Sequence, residues 1–405
     1  MISQREIVYV IQPIEHDNYK ILHEEAISLI ESANAEYAGS IFQPIRDVNP
    51  ATYIGEGKLA ELNERLCDLD VTVLFNGELS PSQTLNISQA LGGKKVIDRT
   101  TLILDIFALR AQTSEGKLQV ELAQLKYLYP RLKGKGSALS RLGGGIGTRG
   151  PGETKLETDR RHIRSRIHTL EERLEATKQR RSLLSERRKK DKTRVIALVG
   201  YTNTGKSTLL NTITGADVMT KNALFATLDP TSRTFEIDGF PFLMVDTVGF
   251  LQNLPHHLID AFRSTLESAL NCDLALIVCD ATGEYDLQLK ITLETLREIG
   301  CSVPYLVVMN KCDAVSRIED LPHDCVCISA KENQGIDQLK RRIFERLQDE
   351  FIVCKLFVPY LQFSRFGSIR NLITENDVQY VDDGMQLNAI IPKIHIKKFE
   401  DYIRH

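Results

Sequence analysis

Residues 195–213, VIALVGYTNTGKSTLLNTI, place an apolar β-run directly before GxxxxGKS and an amphipathic helix directly after it. A phosphate-binding loop requires that order, because the strand sets the loop's origin and the helix N-terminus faces the anion. Within Gly200, Tyr201, Thr202, Asn203, Thr204, Gly205, Lys206 and Ser207 the glycines let backbone N–H groups wrap the phosphates. Lys206 reaches the outer phosphates as a catalytic cation, and the Ser207 hydroxyl is offered to Mg²⁺. The stretch predicts an α/β domain built on a parallel sheet. It does not choose between ATP and GTP.

The residues that follow make the choice. FLMVDTVGF ends an apolar strand at Asp246 and continues through Thr247 and Val248 to Gly249. The Asp246 carboxylate can hold Mg²⁺ through a water, and the Gly249 N–H can sense the outermost phosphate. YLVVMNKCD ends another strand in Asn310, Lys311, Cys312 and Asp313. Asp313 can accept two hydrogen bonds from a guanine edge that adenine does not present, so adenine would leave a polar acceptor unpaired. Lys311 can pack its stem along the base, and Asn310 should brace the loop. Ser329, Ala330 and Lys331 in ISAKE lie behind the base. A strand ending in a polar turn explains DxxG or SAK alone; four such fragments in order, each after a β-run, describe a GTPase domain. Between them, LFATLDPTSR offers Thr227 and Thr231 as the switch threonine over Mg²⁺. Residue 250 is Phe where Ras-like enzymes carry a water-orienting Gln, so basal hydrolysis is expected to be slow.

The 405 residues carry a formal net charge of −3, but the charge is unevenly spread. Residues 131–194 hold 20 basic and 8 acidic side chains, or +12, leaving −15 on the rest. Arg131, just before it, and Lys133, Lys135, Arg141 and Arg149 within it, accompany a glycine-rich stretch, LKGKGSALSRLGGGIGTRGPGE (132–153). Its backbone can approach a phosphate chain closely while the cations neutralise it, which points to RNA contact. Eight scattered cysteines make no disulfide framework. Cys325 and Cys327 alternate in DCVCIS, so both thiols should share one face of a strand. No apolar run reaches the roughly 18 residues of a membrane span, and the first residues lack a signal-peptide pattern, so a cytoplasmic protein is expected.

Around these motifs the chain reads as four segments. Residues 1–113 alternate strand and helix: IVYVI, Tyr19 to Asn34, AGSIFQ, GKLAELNERL, VTVLFN, PSQTLNISQAL and KVID, a small α/β domain with a mainly parallel sheet. IGEGK (54–58) reads as a turn. Residues 114–192 carry two heptad stripes, Leu118, Leu122, Leu125, Tyr129, Leu132 and Ile163, Ile167, Leu170, Leu174, which predict an antiparallel helical hairpin tipped by the basic loop 133–152. Residues 193–350 are the GTPase domain. Residues 351–405 read as a small α+β module, with SIRNLI as its short helix, VQYV and LNAIIP as strands, DDG as a hairpin turn and a final helix.

GGGIGTRGPGETKLETDRRHI (143–163), with GYTNTGKSTL, FATLDPT, DTVGF and NKCD, resembles the HflX family of ribosome-associated GTPases, within the Obg–HflX superfamily. The resemblance runs from the N-terminal α/β domain to about residue 350. It implies Thr227 as the threonine over Mg²⁺ and as a catalytic residue, within a GTP-binding stretch of Phe225, Ala226, Thr227, Leu228 and Asp229. Asn203 resembles the asparagine with which potassium-stimulated GTPases hold K⁺. The resemblance also implies binding to the large ribosomal subunit and its RNA, splitting of stalled or idle ribosomes into subunits, stimulation of hydrolysis by the ribosome, and release after hydrolysis. The protein is expected to be monomeric. Two other readings use the same residues: a regulatory switch that recruits a protein effector, and an ATP- or GTP-dependent RNA remodeller.

Overall fold

The computed structural model describes residues 5–15, 17–140, 151–191, 194–215, 224–225, 231–237, 240–252, 271–315, 322, 324–348 and 351–404. Side chains of 133–140, 151–156 and 181–191, and of 351, 371, 374, 376, 392 and 394, lie outside that description. The chain divides into two compact units. One comprises 1–190, 220–230 and 248–267; the other comprises 191–219, 231–247 and 268–405.

In the first unit, β1 (Ile7–Ile14), α1 (Tyr19–Ser32), β2 (Glu36–Pro44), α2 (Glu56–Leu66), β3 (Thr72–Phe75), α3 (Pro81–Ala90), β4 (Val96–Asp98) and α4 (Arg99–Arg110) follow one another. The strands form a parallel sheet in the order β2-β1-β3-β4. All four residues of β3 are buried, as a strand covered on both faces requires. Ser80 and Gln83 close a capping box over α3, with Pro81 in its first turn. Helix α4 has no counterpart in the sequence reading. RTTLILDIFALR is apolar on most of its circumference and shows no single stripe. Its N-cap is Asp98, the last residue of β4, which accepts from the Thr101 N–H at 2.9 Å.

Two long helices come next, α5 (Ser114–Ser140) and α6 (Pro151–Asp191). Arg166 meets the Glu121 carboxylate with two bonds of 2.6 and 2.9 Å, and Lys126 meets Glu171 at 2.7 Å. The stripe expected of α6 is its less exposed face, with Leu170 fully buried. On α5 Leu122 of the expected stripe is buried, but the other most buried side chains are Gln119, Val120, Ala123 and Tyr127, and the helix packs on α4 and α3. Helix α5 also continues through residues 133–140, where the glycine spacing predicts loop. Each glycine lowers helix stability by only about 1 kcal/mol, and extending an established helix is far easier than nucleating one.

The second unit contains β5 (Arg194–Val199), α7 (Lys206–Thr214), β6 (Thr231–Ile237), β7 (Phe240–Asp246), β8 (Leu274–Asp280), α8 (Tyr285–Glu298), β9 (Tyr305–Asn310), β10 (Cys325–Cys327) and α9 (Ile336–Gln348). Its sheet runs β10-β9-β8-β5-β7-β6, parallel except where β6 meets β7. Ile196, Leu198, Leu276, Val278 and Val308 are its fully or almost fully buried apolar core. An antiparallel module follows: β11 (Phe351–Pro359), α10 (Phe363–Ile369), β12 (Thr374–Val381), β13 (Gly384–Pro392) and β14 (Ile403–Arg404), in the order β12-β13-β11-β14. The helix expected over 368–373 starts earlier, at Phe363, because Phe363, Phe366 and Ile369 all join the module's apolar core. The expected final helix is two 3₁₀ segments, Lys393–Lys398 and Glu400–Tyr402, leading into β14.

Candidate nucleotide site

Every site residue of the second unit lies at the carboxyl end of a sheet strand, where open parallel sheets place their ligand crevice. The phosphate loop leaves β5 through Gly200 at φ 145°, where an added Cβ would meet the Val278 carbonyl oxygen at 2.3 Å. Gly205 enters α7 at φ 90°, and a Cβ there would meet Asn310 Nδ2 at 2.3 Å. Both positions exclude a side chain. Thr204 donates to the Tyr201 carbonyl at 3.1 Å, and Asn203 holds φ 61° at the tip.

Lys206 is buried, and its Nζ donates to the carbonyls of Gly200 at 3.1 Å and Tyr201 at 2.6 Å. Burial pulls its ammonium down to about 8, partly opposed by the Asp246 carboxylate and the Cys279 thiol. Ser207 Oγ donates to Asp246 at 2.6 Å, so the two oxygen donors expected around Mg²⁺ converge on one point. Thr247 bonds back to the Leu198 carbonyl at 2.7 Å and locks the end of β7 to β5.

On the base side, Asn310 braces two loops at once. Its Nδ2 donates to the Thr204 carbonyl at 2.8 Å, and its Oδ1 accepts from the Ala330 N–H at 3.0 Å. Lys311, at φ 65°, donates to the Asn203 carbonyl at 3.0 Å and to Asp280 at 2.5 Å. Cys312 and Asp313 form a 3₁₀ turn with Asp313 exposed. Ser329 is buried and accepts from the Glu332 N–H at 3.1 Å, Thr212 of α7 donates to the Ala330 carbonyl at 2.7 Å, and Lys331 is exposed. The sequence reading missed Asp280 and Thr212. Asp280 had a signal: like Asp246, it ends an apolar strand.

Phe225, Val248 and Gly249 belong to the first unit. There the Phe225 ring packs edge-on against Phe107 of α4, centroids 4.5 Å apart, and the Leu224 N–H donates to Ser32 Oγ at 2.9 Å. Phe250 is buried. Gln252 accepts from Asn18 at 2.8 Å through its side chain and from Arg99 at 3.3 Å through its carbonyl. Nothing in the sequence reading singled out Gln252. Ala226, Thr227, Leu228 and Asp229 lie outside the described residues, as do Arg141, Arg149 and the side chains of Lys133 and Lys135.

Within the fold, Arg131 is held by neighbours on two elements. Its guanidinium donates to the Leu79 carbonyl at 2.9 Å and to Asp98 at 3.4 Å, and stacks 3.3 Å over the Tyr127 ring. Tyr127 in turn bonds Asp98, and burial, together with the Asp98 charge, drives its phenol up. Arg131 is thus a strut between the first sheet and α5, because the buried Asp98 carboxylate needs a cation.

Family models agree with this anatomy. Residues 21–108, 110–188 and 195–311 match models described as GTP-binding GTPase N-terminal, GTP-binding GTPase middle region and 50S ribosome-binding GTPase. A protein of Lacrimispora saccharolytica named GTPase HflX is 43% identical over 399 residues, spanning 96% of this chain and 94% of its own. Another of that name from Escherichia coli is 43% identical over 350 residues, spanning 83% of this chain and 81% of its own. A solved GTP-binding protein from Sulfolobus solfataricus in complex with GDP is 28% identical, covers 85% of this chain and 99% of its own, and has a TM-score of 0.46. With a phosphate loop, a magnesium-type Ser–Asp pair and a guanine-type turn at the ends of one sheet, the chain belongs to the HflX family of ribosome-associated GTPases.

Proposed function

We propose that this GTPase binds the large ribosomal subunit through its basic, glycine-rich stretch 131–149 and splits stalled or idle ribosomes into subunits. GTP favours the bound form, and hydrolysis permits release. The observation that carries this reading is the pairing of a guanine-nucleotide site with a +12 stretch at 131–194, in which Arg131, Lys133 and Lys135 in the last turns of α5 and Arg141 and Arg149 beyond it lie beside or among glycines. Counterion release from RNA phosphates rewards such a segment, and glycine lets it enter a narrow space.

Ser207 and Asp246 suit Mg²⁺ because both are hard oxygen donors, 2.6 Å apart at the phosphate loop. Bound there, Mg²⁺ would neutralise charge developing on the transferred phosphate. Thr227 would complete its shell in the triphosphate state, and Gly249 would report the outer phosphate. Asn203 is the residue that would hold K⁺. Phe250 cannot orient water by hydrogen bonding, so the intrinsic rate is slow and the ribosome supplies the acceleration. The protein acts as a monomer in the cytoplasm; among the described residues no helix is long and apolar enough to cross a membrane.

Sedimentation of intact ribosomes with the protein and a non-hydrolysable GTP analogue tests the proposal. Free subunits should accumulate with the triphosphate analogue and not with GDP, and deletion of 137–150 should abolish splitting while leaving nucleotide affinity near normal. Equal co-sedimentation in every nucleotide state, with ribosomes left whole, refutes it.

A further inference from the structure

Where α5 and α6 run side by side, cations of one helix meet carboxylates of the other: Arg166 meets Glu121 through bonds of 2.6 and 2.9 Å, and Lys126 meets Glu171 at 2.7 Å. Toward the glycine-rich end of the two helices that pattern breaks. Tyr129 of α5 stands opposite Arg160 and Arg164 of α6. Arg164 donates from Nε and Nη2 to the Tyr129 phenol oxygen at 3.1 and 2.5 Å. The guanidinium carbons of Arg160 and Arg164 lie 5.2 and 5.6 Å from the centre of the Tyr129 ring. Among the described residues neither guanidinium has a carboxylate within ion-pair distance, and the Arg160 Nε–H has no hydrogen-bond partner. Glu157 and Asp159, the nearest acids along the chain, are exposed and pair with neither.

Like charges four residues apart on a helix repel each other and destabilise it. A carboxylate at 129 would relieve that repulsion, as Glu121 neutralises Arg166, but a phenol is a neutral acceptor and leaves both charges standing. A guanidinium fork is suited to two parallel bonds to an anion, and at Arg164 it is spent on one uncharged oxygen. Tyr129 therefore holds two cations in place without neutralising them. They sit on the same two helices as the basic stretch, within residues 131–194 that carry +12.

We propose that Arg160 and Arg164, presented by Tyr129, bind a phosphodiester of ribosomal RNA. This contact presupposes the large-subunit binding proposed above and lies outside the stretch 131–149 assigned to RNA there. The two free oxygens of one phosphate can accept from both guanidiniums. Arg164 then exchanges a neutral acceptor for an anionic one, Arg160 gains an acceptor, and the RNA releases condensed counterions. A phosphate carries no sequence information, so the pair fixes where the helices sit on RNA and leaves base selection to other groups.

The test uses the full chain loaded with a non-hydrolysable GTP analogue, together with purified large subunits. Arginines are labelled with phenylglyoxal in the presence and absence of subunits and mapped by mass spectrometry, and binding is measured by pelleting over a series of KCl concentrations. Subunits should protect Arg160 and Arg164. Tyr129→Glu supplies the missing carboxylate, so it should melt at or above the temperature of the parent and yet bind about five-fold more weakly or worse. Arg160→Gln with Arg164→Gln should weaken binding similarly. In both variants the plot of log affinity against log KCl should be shallower by about 0.7–0.9, the share of one phosphate. Subunits that bind while both arginines still react, or variants with the parent's affinity and slope, overturn the proposal and leave large-subunit binding standing. Protection by millimolar inorganic pyrophosphate but not by subunits also overturns it and assigns the pair to a small anion. A parent that pellets with subunits in no nucleotide state sinks the large-subunit reading, and this contact with it.

Discussion

Arg99 donates to the Glu25 carboxylate at 2.6 Å, and both side chains are only 5% exposed. The same guanidinium donates to Asn76 at 2.9 Å and to the Gln252 carbonyl at 3.3 Å, so a buried ion pair of the N-terminal α/β domain also holds the segment just beyond DxxG. Coulomb attraction at such a site is large, but so is the desolvation it offsets.

Removing only the cation therefore exposes the second term. Arg99→Met takes the buried guanidinium away from the Glu25 carboxylate and should destabilise the protein by about 3–5 kcal/mol. Arg99→Met with Glu25→Met should recover most of that loss. Urea denaturation of the two variants checks both statements; equal loss in the single and double variants would show that the pair is not the source.

Asn310→Ala removes the donor to Thr204 and the acceptor for Ala330, two bonds worth about 0.5–1.5 kcal/mol each. GDP affinity should fall roughly ten-fold or more, since 1.4 kcal/mol is a factor of ten. Asn310→Asp keeps the acceptor alone and should lie between. Titration calorimetry reads both.

Asp313→Asn exchanges one acceptor for a donor facing the base. Preference should move from guanine toward xanthine nucleotides, because xanthine presents a carbonyl where guanine presents an amino group. Competition binding with GDP and XDP decides it, and an unchanged preference refutes the role of Asp313.

Burial lowers the Lys206 ammonium to about 8, against 10.5 in the unfolded chain. Between those values the unfolded state binds more protons than the folded one, so this group raises stability as pH climbs from about 8 to 10.5 and contributes a full penalty below 8. Lys206→Met should flatten that limb of the stability curve. Nucleotide phosphates restore the charge, so GDP binding near pH 9 should take up protons, measurable by calorimetry in buffers of different ionisation enthalpy.

Much of this protein was legible in the linear chain, because each nucleotide motif must sit on a loop just after a strand, and strands announce themselves by short apolar runs. Asn310 was expected to brace its loop and does, since that task is set by neighbours fixed in the same sheet. Helix α4 escaped notice because burial on most of its surface erases the one-sided stripe that marks a helix at a surface.

What the tertiary structure alone decided are the relationships between distant residues. In the sequence Arg131 is one cation of a basic run; only the fold shows that it also pairs with the buried Asp98, 33 positions earlier. Asp280 gained a purpose only when β8 and β9 came together and set Lys311 at 2.5 Å. Residue type and spacing determine which local geometries a chain can adopt and which ligand chemistry those geometries serve. They do not say which polar group is left in low dielectric and must find a partner, because that depends on what the rest of the chain removes from water.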